Sequence, residues 1–207
     1  MFCRRRGGGK DLSELAMLAG ELGAKAPASF FWTPFLAIKK RCYNFAMRTL
    51  GIDPGTAATG FGVVDEIDKR LSLVDFGCIK TPAGMPMPER LKIISIELTE
   101  LIEKYSPENI SVEQLFFCSN AKTAIKVGEA RGVILLTAAQ AGLKISEYTP
   151  LQVKMALTGY GKADKKQVQY MVKNILGCKE TPKPDDAADA LAIAICHINS
   201  RKFKEAK

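Results

Sequence analysis

Four acidic residues stand where their surroundings do not call for a charge. Asp53 ends the apolar run MRTLGID, and Pro54-Gly55 follows at once. Glu113 ends NISVE, directly after the apolar Ile110 and Val112. Asp186 and Asp189 open DAADALAIAICHINS, whose following residues are small and apolar. A charge at the tip of a buried segment loses hydration and needs a partner or a purpose. The i, i+3 spacing puts Asp186 and Asp189 on one helix face. The helix dipole favours acids in a first turn, which accounts for one of them but not for two on a face otherwise apolar. If the four converge, their repulsion must be relieved by protonation or by cations. No compact set of Arg or Lys accompanies all three segments. Hard oxygen ligands without His or Cys suit Mg²⁺ or Mn²⁺. Two such ions balance four negative charges. Held about 3.5–4 Å apart, they can activate water and stabilise the leaving oxygen in phosphodiester cleavage.

The elements that must bring these acids together are legible as patterns. RTLGID and TGFGVVDEI read as strands joined through Pro54-Gly55, the second with glycines where backbones approach closely. RLSLVDFGCIK alternates and reads as a third strand. Short connections between these three imply an antiparallel meander. PERLKIISIELTELIEKY carries Leu91, Ile94, Leu98, Leu101 and Ile102 at helical spacing. NISVEQ is a fourth strand, NAKTAIKVGEARGVILLTAAQAG a long helix and LKISEYT a fifth strand. Alternation of strand and helix in this half predicts parallel pairing. Thr149-Pro150 caps and opens LQVKMALTG, a further helix spans Lys165–Leu176 and ends at Gly177, and a last one begins near Asp185. The expected architecture is α/β, a five-stranded mixed sheet flanked by helices. In such sheets the functional crevice lies outside the carboxyl ends of the strands. Asp53 and Glu113 both point there if strands one and four are parallel neighbours.

The 207 residues suffice for one domain with appendages. Net charge is +8, unevenly spread. Residues 1–46 hold eight Lys/Arg against three Asp/Glu, and residues 47–207 hold 22 against 19, so the main domain is only mildly basic. A positive balance favours an anionic partner. Residues 1–46 read as an N-terminal extension, disordered or loosely docked; 47–200 as the main domain; 201–207, RKFKEAK, as a basic tail. Six cysteines without CxxC spacing and a single histidine, His197, argue against zinc. With no secretory signal and no apolar run near the 20 or so residues that span a bilayer, the reading is a cytoplasmic protein with reduced thiols and no membrane contact.

The stretches LGIDPGTAATGFGVV, ISVEQLFFCSNAKTAIKVGEARG and PDDAADALAIAICH, in this order and spacing, resemble the RuvC family of bacterial Holliday-junction resolvases over about residues 47–199. The resemblance implies an RNase H-like fold and a homodimer. It also implies Mg²⁺-dependent paired nicks in two strands of four-way junction DNA, with two ions per subunit and Mn²⁺ able to substitute. The RuvA–RuvB branch-migration complex is the partner it implies. Asp53, Glu113, Asp186 and Asp189 fall on the family's metal-binding acids. Phe116 falls on the aromatic that stacks on junction bases, core packing being the alternative for it. Lys154 and Lys165 fall on basic positions facing DNA near the cut. Lys154, Lys162, Lys165 and Lys166 gather around GYGKADKK, and an all-acidic metal site needs nearby cations to hold DNA in any case. His197 reads as a packing or capping residue rather than a catalytic one. In the long helix, Ala121, Ala124, Gly128 and Gly132 permit close approach to the sheet or to a twin subunit.

Three rivals remain. GIDPGT also resembles the phosphate-binding start of actin-like ATPases, but those need two such domains, and no GxxxxGK[ST] is present. A YqgF-type RNA-processing nuclease fits DAAD and EQLFF less well. A non-catalytic junction-binding protein has no need of four acids.

Overall fold

The computed structural model describes residues 47–115 and 121–205. The extension and Phe116 lie outside the described residues. Among the described residues ten elements follow in order: β1 (Met47–Asp53), β2 (Ala58–Ile67), β3 (Arg70–Lys80), α1 (Met87–Tyr105), β4 (Asn109–Glu113), α2 (Ala121–Gln140), β5 (Lys144–Tyr148), α3 (Pro150–Thr158), α4 (Lys165–Ile175) and α5 (Asp185–Glu205). The strands form one sheet in the order β3-β2-β1-β4-β5. β1–β2 and β2–β3 pair antiparallel, while β1–β4 and β4–β5 pair parallel. The meander and the parallel half expected from sequence are both present.

Alternation along the central strands sorts their side chains between two cores. Leu50 and Ile52 of β1 join Ile110 and Val112 of β4 against Ile94, Leu98, Ile134 and Ala138 of α1 and α2. Every second residue faces the other way. On that side α5 lies against the sheet, with Leu191 and Ile195 buried beside Val64 and covered by Val153, Leu157, Val168 and Val172 of α3 and α4. Full burial of such side chains contributes about 1.5–3 kcal/mol each. α5 comes unusually close to β1 and β2 because glycines leave room. A Cβ on Gly51 would stand 2.1 Å from the Ala190 carbonyl oxygen, and one on Gly60 would stand 2.0 Å from the Asp186 carbonyl oxygen. Both obstacles are backbone, so no rotamer change relieves them.

Helix starts follow local chemistry. Thr149 and Asp164 each form a capping box, with Gln152 and Gln167 respectively, and Pro150 occupies the first turn of α3. Gly177 takes the left-handed conformation, φ 63°, just past the end of α4. α5 continues through Glu205, into the segment read as a basic tail. In α2 the face toward the core is made by Ala130, Ile134 and Ala138. A Cβ on Gly132 would meet nothing within 4 Å, so this part of the small-residue stripe looks outward rather than into the sheet. Ile125 and Leu136 are exposed on the same helix. Cys78, Cys178 and Cys196 are free thiols. Among the described residues no helix is long and apolar enough to cross a membrane.

Candidate active site

The parallel register of β1 with β4 pairs Ile52 with Val112. Asp53 and Glu113 are the next residue on each strand, so the two acids leave the sheet side by side. Both follow residues that point into the α1–α2 core, so both belong to the opposite face, the one α5 covers. Across the other ladder Asp53 pairs with Gly60, whose missing side chain admits the first turn of α5. That turn carries Asp186, with Asp189 one turn on. Three distant segments thus deliver the four predicted acids to one end of the sheet.

Their electrostatics record the gathering. The Asp53 carboxyl is pushed up to about 8, first by burial and then by the charges of Glu113, Asp189 and Asp186, with Lys165 opposing. Glu113 is pushed up to about 7 by burial and by Asp189, with Lys154 opposing. Asp189 is raised by burial, against the pull of Lys165. The thiol of Cys78 on β3 is raised by burial and then by Asp186. Lys165 Nζ lies 3.0 Å from Asp189 Oδ2 and 3.3 Å from Asp185 Oδ2. Gln169 donates to the other Asp185 oxygen at 3.1 Å. Asp185, which the sequence reading left out of the four acids, therefore serves the lysine.

Among the described residues no group of three or more acid, thiol or imidazole side chains is closed into a set that could hold a metal ion. The mutual pKa shifts and this result differ in range rather than in substance. Carboxylates influence one another across several ångströms, whereas Mg²⁺ ligation requires about 2.0–2.1 Å. The donors fit hard divalent cations in kind. All are carboxylates, and the raised Asp53 and Glu113 mark a negative potential that a cation would relieve.

Lys154 on α3 and Lys165 at the start of α4 both flank this end of the sheet, each opposing the charge of one or more of the acids. His197 is buried in α5, where its Nδ1 is 3.0 Å from the Tyr148 hydroxyl; it packs. Arg131 was not singled out from sequence. Its Nε donates to the Glu113 carbonyl at 3.3 Å and its guanidinium pairs with Glu147, tying α2 to the ends of β4 and β5. GEARG gave no signal of this, because the partner on β4 is a backbone carbonyl.

The sheet order, the strand directions and the helix carrying two acids define an RNase H-like fold of the nuclease class. The family model described as crossover junction endodeoxyribonuclease RuvC matches residues 49–197, and the chain belongs to this family. It is accordingly an endodeoxyribonuclease of crossover junctions. A RuvC from Desulfitobacterium hafniense is 57% identical over 154 residues, which is 74% of this chain and 93% of that protein. Among solved structures, the Thermus thermophilus RuvC is 40% identical with a TM-score of 0.72, over 76% of this chain and 97% of the other. The T. thermophilus RuvC in complex with Holliday junction substrate gives 38% and 0.69, over 76% and 96%.

Proposed function

We propose that this chain resolves four-way DNA junctions in recombination and repair by paired, symmetric nicks. On this reading Asp53, Glu113, Asp186 and Asp189 hold two Mg²⁺ ions per subunit, which Mn²⁺ can replace. The observation that carries it is the parallel β1–β4 register, which sets Asp53 beside Glu113 under the first turn of α5. Bound divalent ions supply an activated water and stabilisation of the leaving oxygen. The protein's own residues do the rest. The four carboxylates fix where charge is neutralised, and Gly60 keeps the α5 pair close to the strand pair. Lys154 and Lys165 offset the acids' repulsion of the DNA backbone and meet the phosphates beside the cut. Phe116 would stack on unpaired junction bases, a contact worth roughly 1–3 kcal/mol per base and tolerant of sequence.

A junction has approximate two-fold symmetry, so a C2 homodimer would present two identical acid sets to it. The outward Ile125, Gly132 and Leu136 of α2 support that helix as the self-contact, since a glycine among aliphatic side chains lets two helices approach closely. The catalytic unit on this reading is residues 47–200. It works in the cytoplasm alongside the RuvA–RuvB complex.

The test uses purified protein with a synthetic four-way junction, a linear duplex and an RNA–DNA hybrid, each with and without Mg²⁺. Symmetric nicks confined to the junction, dependent on Mg²⁺ and lost in Asp53→Asn while binding persists, are expected. Equal cutting by wild type and Asp53→Asn would reject the assignment.

A further inference from the structure

The α3–α4 hairpin concentrates what the chain as a whole spreads thinly. Between Pro150 and Lys179 there are six lysines and one acid, Asp164. That acid is engaged locally, accepting from the Gln167 backbone N–H at 2.8 Å. Amid these cations is an apolar patch. Leu151, Met155 and Tyr160 are 60%, 50% and 57% exposed. Leu151, Lys154, Met155 and Thr158 follow i, i+3, i+4, i+7 spacing and share a helix face. Gly161 closes down on it: a Cβ there would stand 2.4 Å from Leu151 Cδ1 and 3.5 Å from Met155 Sδ.

The turn bearing Tyr160 is fixed. Gly159 caps α3 in the left-handed conformation, φ 70°. The Thr158 hydroxyl donates to the Lys154 carbonyl at 2.7 Å and accepts from the Tyr160 N–H at 3.1 Å. The Ala163 N–H donates to the Tyr160 carbonyl at 3.1 Å. Both backbone groups of Tyr160 are therefore held, and its ring is presented outward from a rigid base. Holding an exposed aromatic in this way reduces the ordering cost of a contact made by its ring.

Two lysines of the same hairpin reach the acid site. Lys154 lies on the same face of α3 and opposes the charge of Glu113, and Lys165, which begins the next helix, bonds Asp189. A polyanion with flat, apolar bases and sugars satisfies the lysines and the ring together.

We propose that Tyr160, next in the chain to the Gly161 that packs on Leu151 and Met155, is an aromatic DNA contact that grips the junction strand flanking the cut. The inference rests on the reading of the acids as a DNA-cutting site. It adds a grip that does not depend on charge to the one supplied by lysine.

The experiment measures binding of the full-length protein to a fluorescein-labelled four-way junction in EDTA, by anisotropy across a salt series. Tyr160→Ala and Tyr160→Leu should each weaken binding roughly tenfold, the size of one stacking contact, with the salt slope unchanged. Tyr160→Phe should bind within about twofold of wild type, because the ring face is what counts. Lys154→Ala should weaken binding and reduce the slope by about 1. Tyr170→Ala, a change at an exposed tyrosine on α4, should alter nothing. Wild-type affinity in both Tyr160→Ala and Tyr160→Leu, with Lys154→Ala impaired, overturns the Tyr160 contact alone and returns the patch to a protein partner. Wild-type affinity in Lys154→Ala as well overturns the reading of this face as DNA-binding. An equal loss in Tyr170→Ala would show a general surface effect and overturn the contact.

Discussion

Lys165 holds Asp189 at 3.0 Å within the field of three further carboxylates. It acts as a built-in counter-ion, standing near where a divalent cation would be drawn. Burial works against its charge, but the bonds to Asp189 and Asp185 outweigh that and raise its pKa. A cation bound by Asp189 would free the ammonium to meet a phosphate.

Lys165→Met should therefore divide two quantities that usually move together. Removing the competing ammonium deepens the negative potential, so the Mg²⁺ concentration at half-maximal thermal stabilisation should fall. Junction cutting at saturating Mg²⁺ should also fall, if Lys165 meets a phosphate as proposed. A variant needing more Mg²⁺ for thermal stabilisation would contradict the counter-ion role.

Asp53→Asn should raise the melting temperature of the metal-free protein. It removes the group whose ionisation is opposed by burial and by three neighbouring acids. A gain of several degrees in differential scanning calorimetry with EDTA is expected for a domain of this size, at roughly 2–4 °C per kcal/mol. A lower melting temperature would mean that the carboxylate is paired rather than crowded.

The same crowding predicts a pH dependence. Asp53 moves from 3.8 unfolded to about 8 folded, and Glu113 from 4.5 to about 7. The folded protein holds these protons more tightly than the unfolded chain, so their contribution is fully present below about pH 4. It is lost as pH rises toward about 8. Urea denaturation in EDTA should show stability falling between pH 5 and 8, with a shallower fall in Asp53→Asn. Added Mg²⁺ should stabilise more at pH 8 than at pH 5. Equal slopes in wild type and variant would remove Asp53 from the account.

Gly51→Ala tests the seat of α5. The added methyl carbon would stand 2.1 Å from the Ala190 carbonyl oxygen and 2.7 Å from the Ala194 nitrogen, so helix or strand must shift. Overpacking of this kind costs about 1–3 kcal/mol. Urea midpoints should drop accordingly, and cutting should fall further than the unfolded fraction explains, because Asp186 and Asp189 ride on the displaced helix. Unchanged stability would show that strand and helix yield at this contact without cost.

Much of the frame could be read from residue order alone. The tips of β1 and β4 announced themselves because Leu50, Ile52, Ile110 and Val112 alternate into one core and leave Asp53 and Glu113 on the other face. The alanines of α5 signalled a buried helix, and Thr149 and Asp164 marked helix starts through side chain–backbone bonds that act within four residues. What escaped depends on encounters between distant segments. The pairing of Asp185 with Lys165 joins two helices and has no local signature. The small residues of α2 could have faced the sheet or away from it. Periodicity gives the stripe but not its direction, and Gly132 proves to look outward. Arg131 grips a carbonyl, which carries no side-chain signature.

The helix that brings Asp186 and Asp189 is the last element the described residues contain, and it rests on the first two strands. On the proposed reading of the acids, a growing polypeptide would thus carry no cutting power until α5 had been made and had settled on β1 and β2. Chains interrupted before Asp189 would then leave junction DNA uncut, a useful property in an enzyme whose chemistry severs strands.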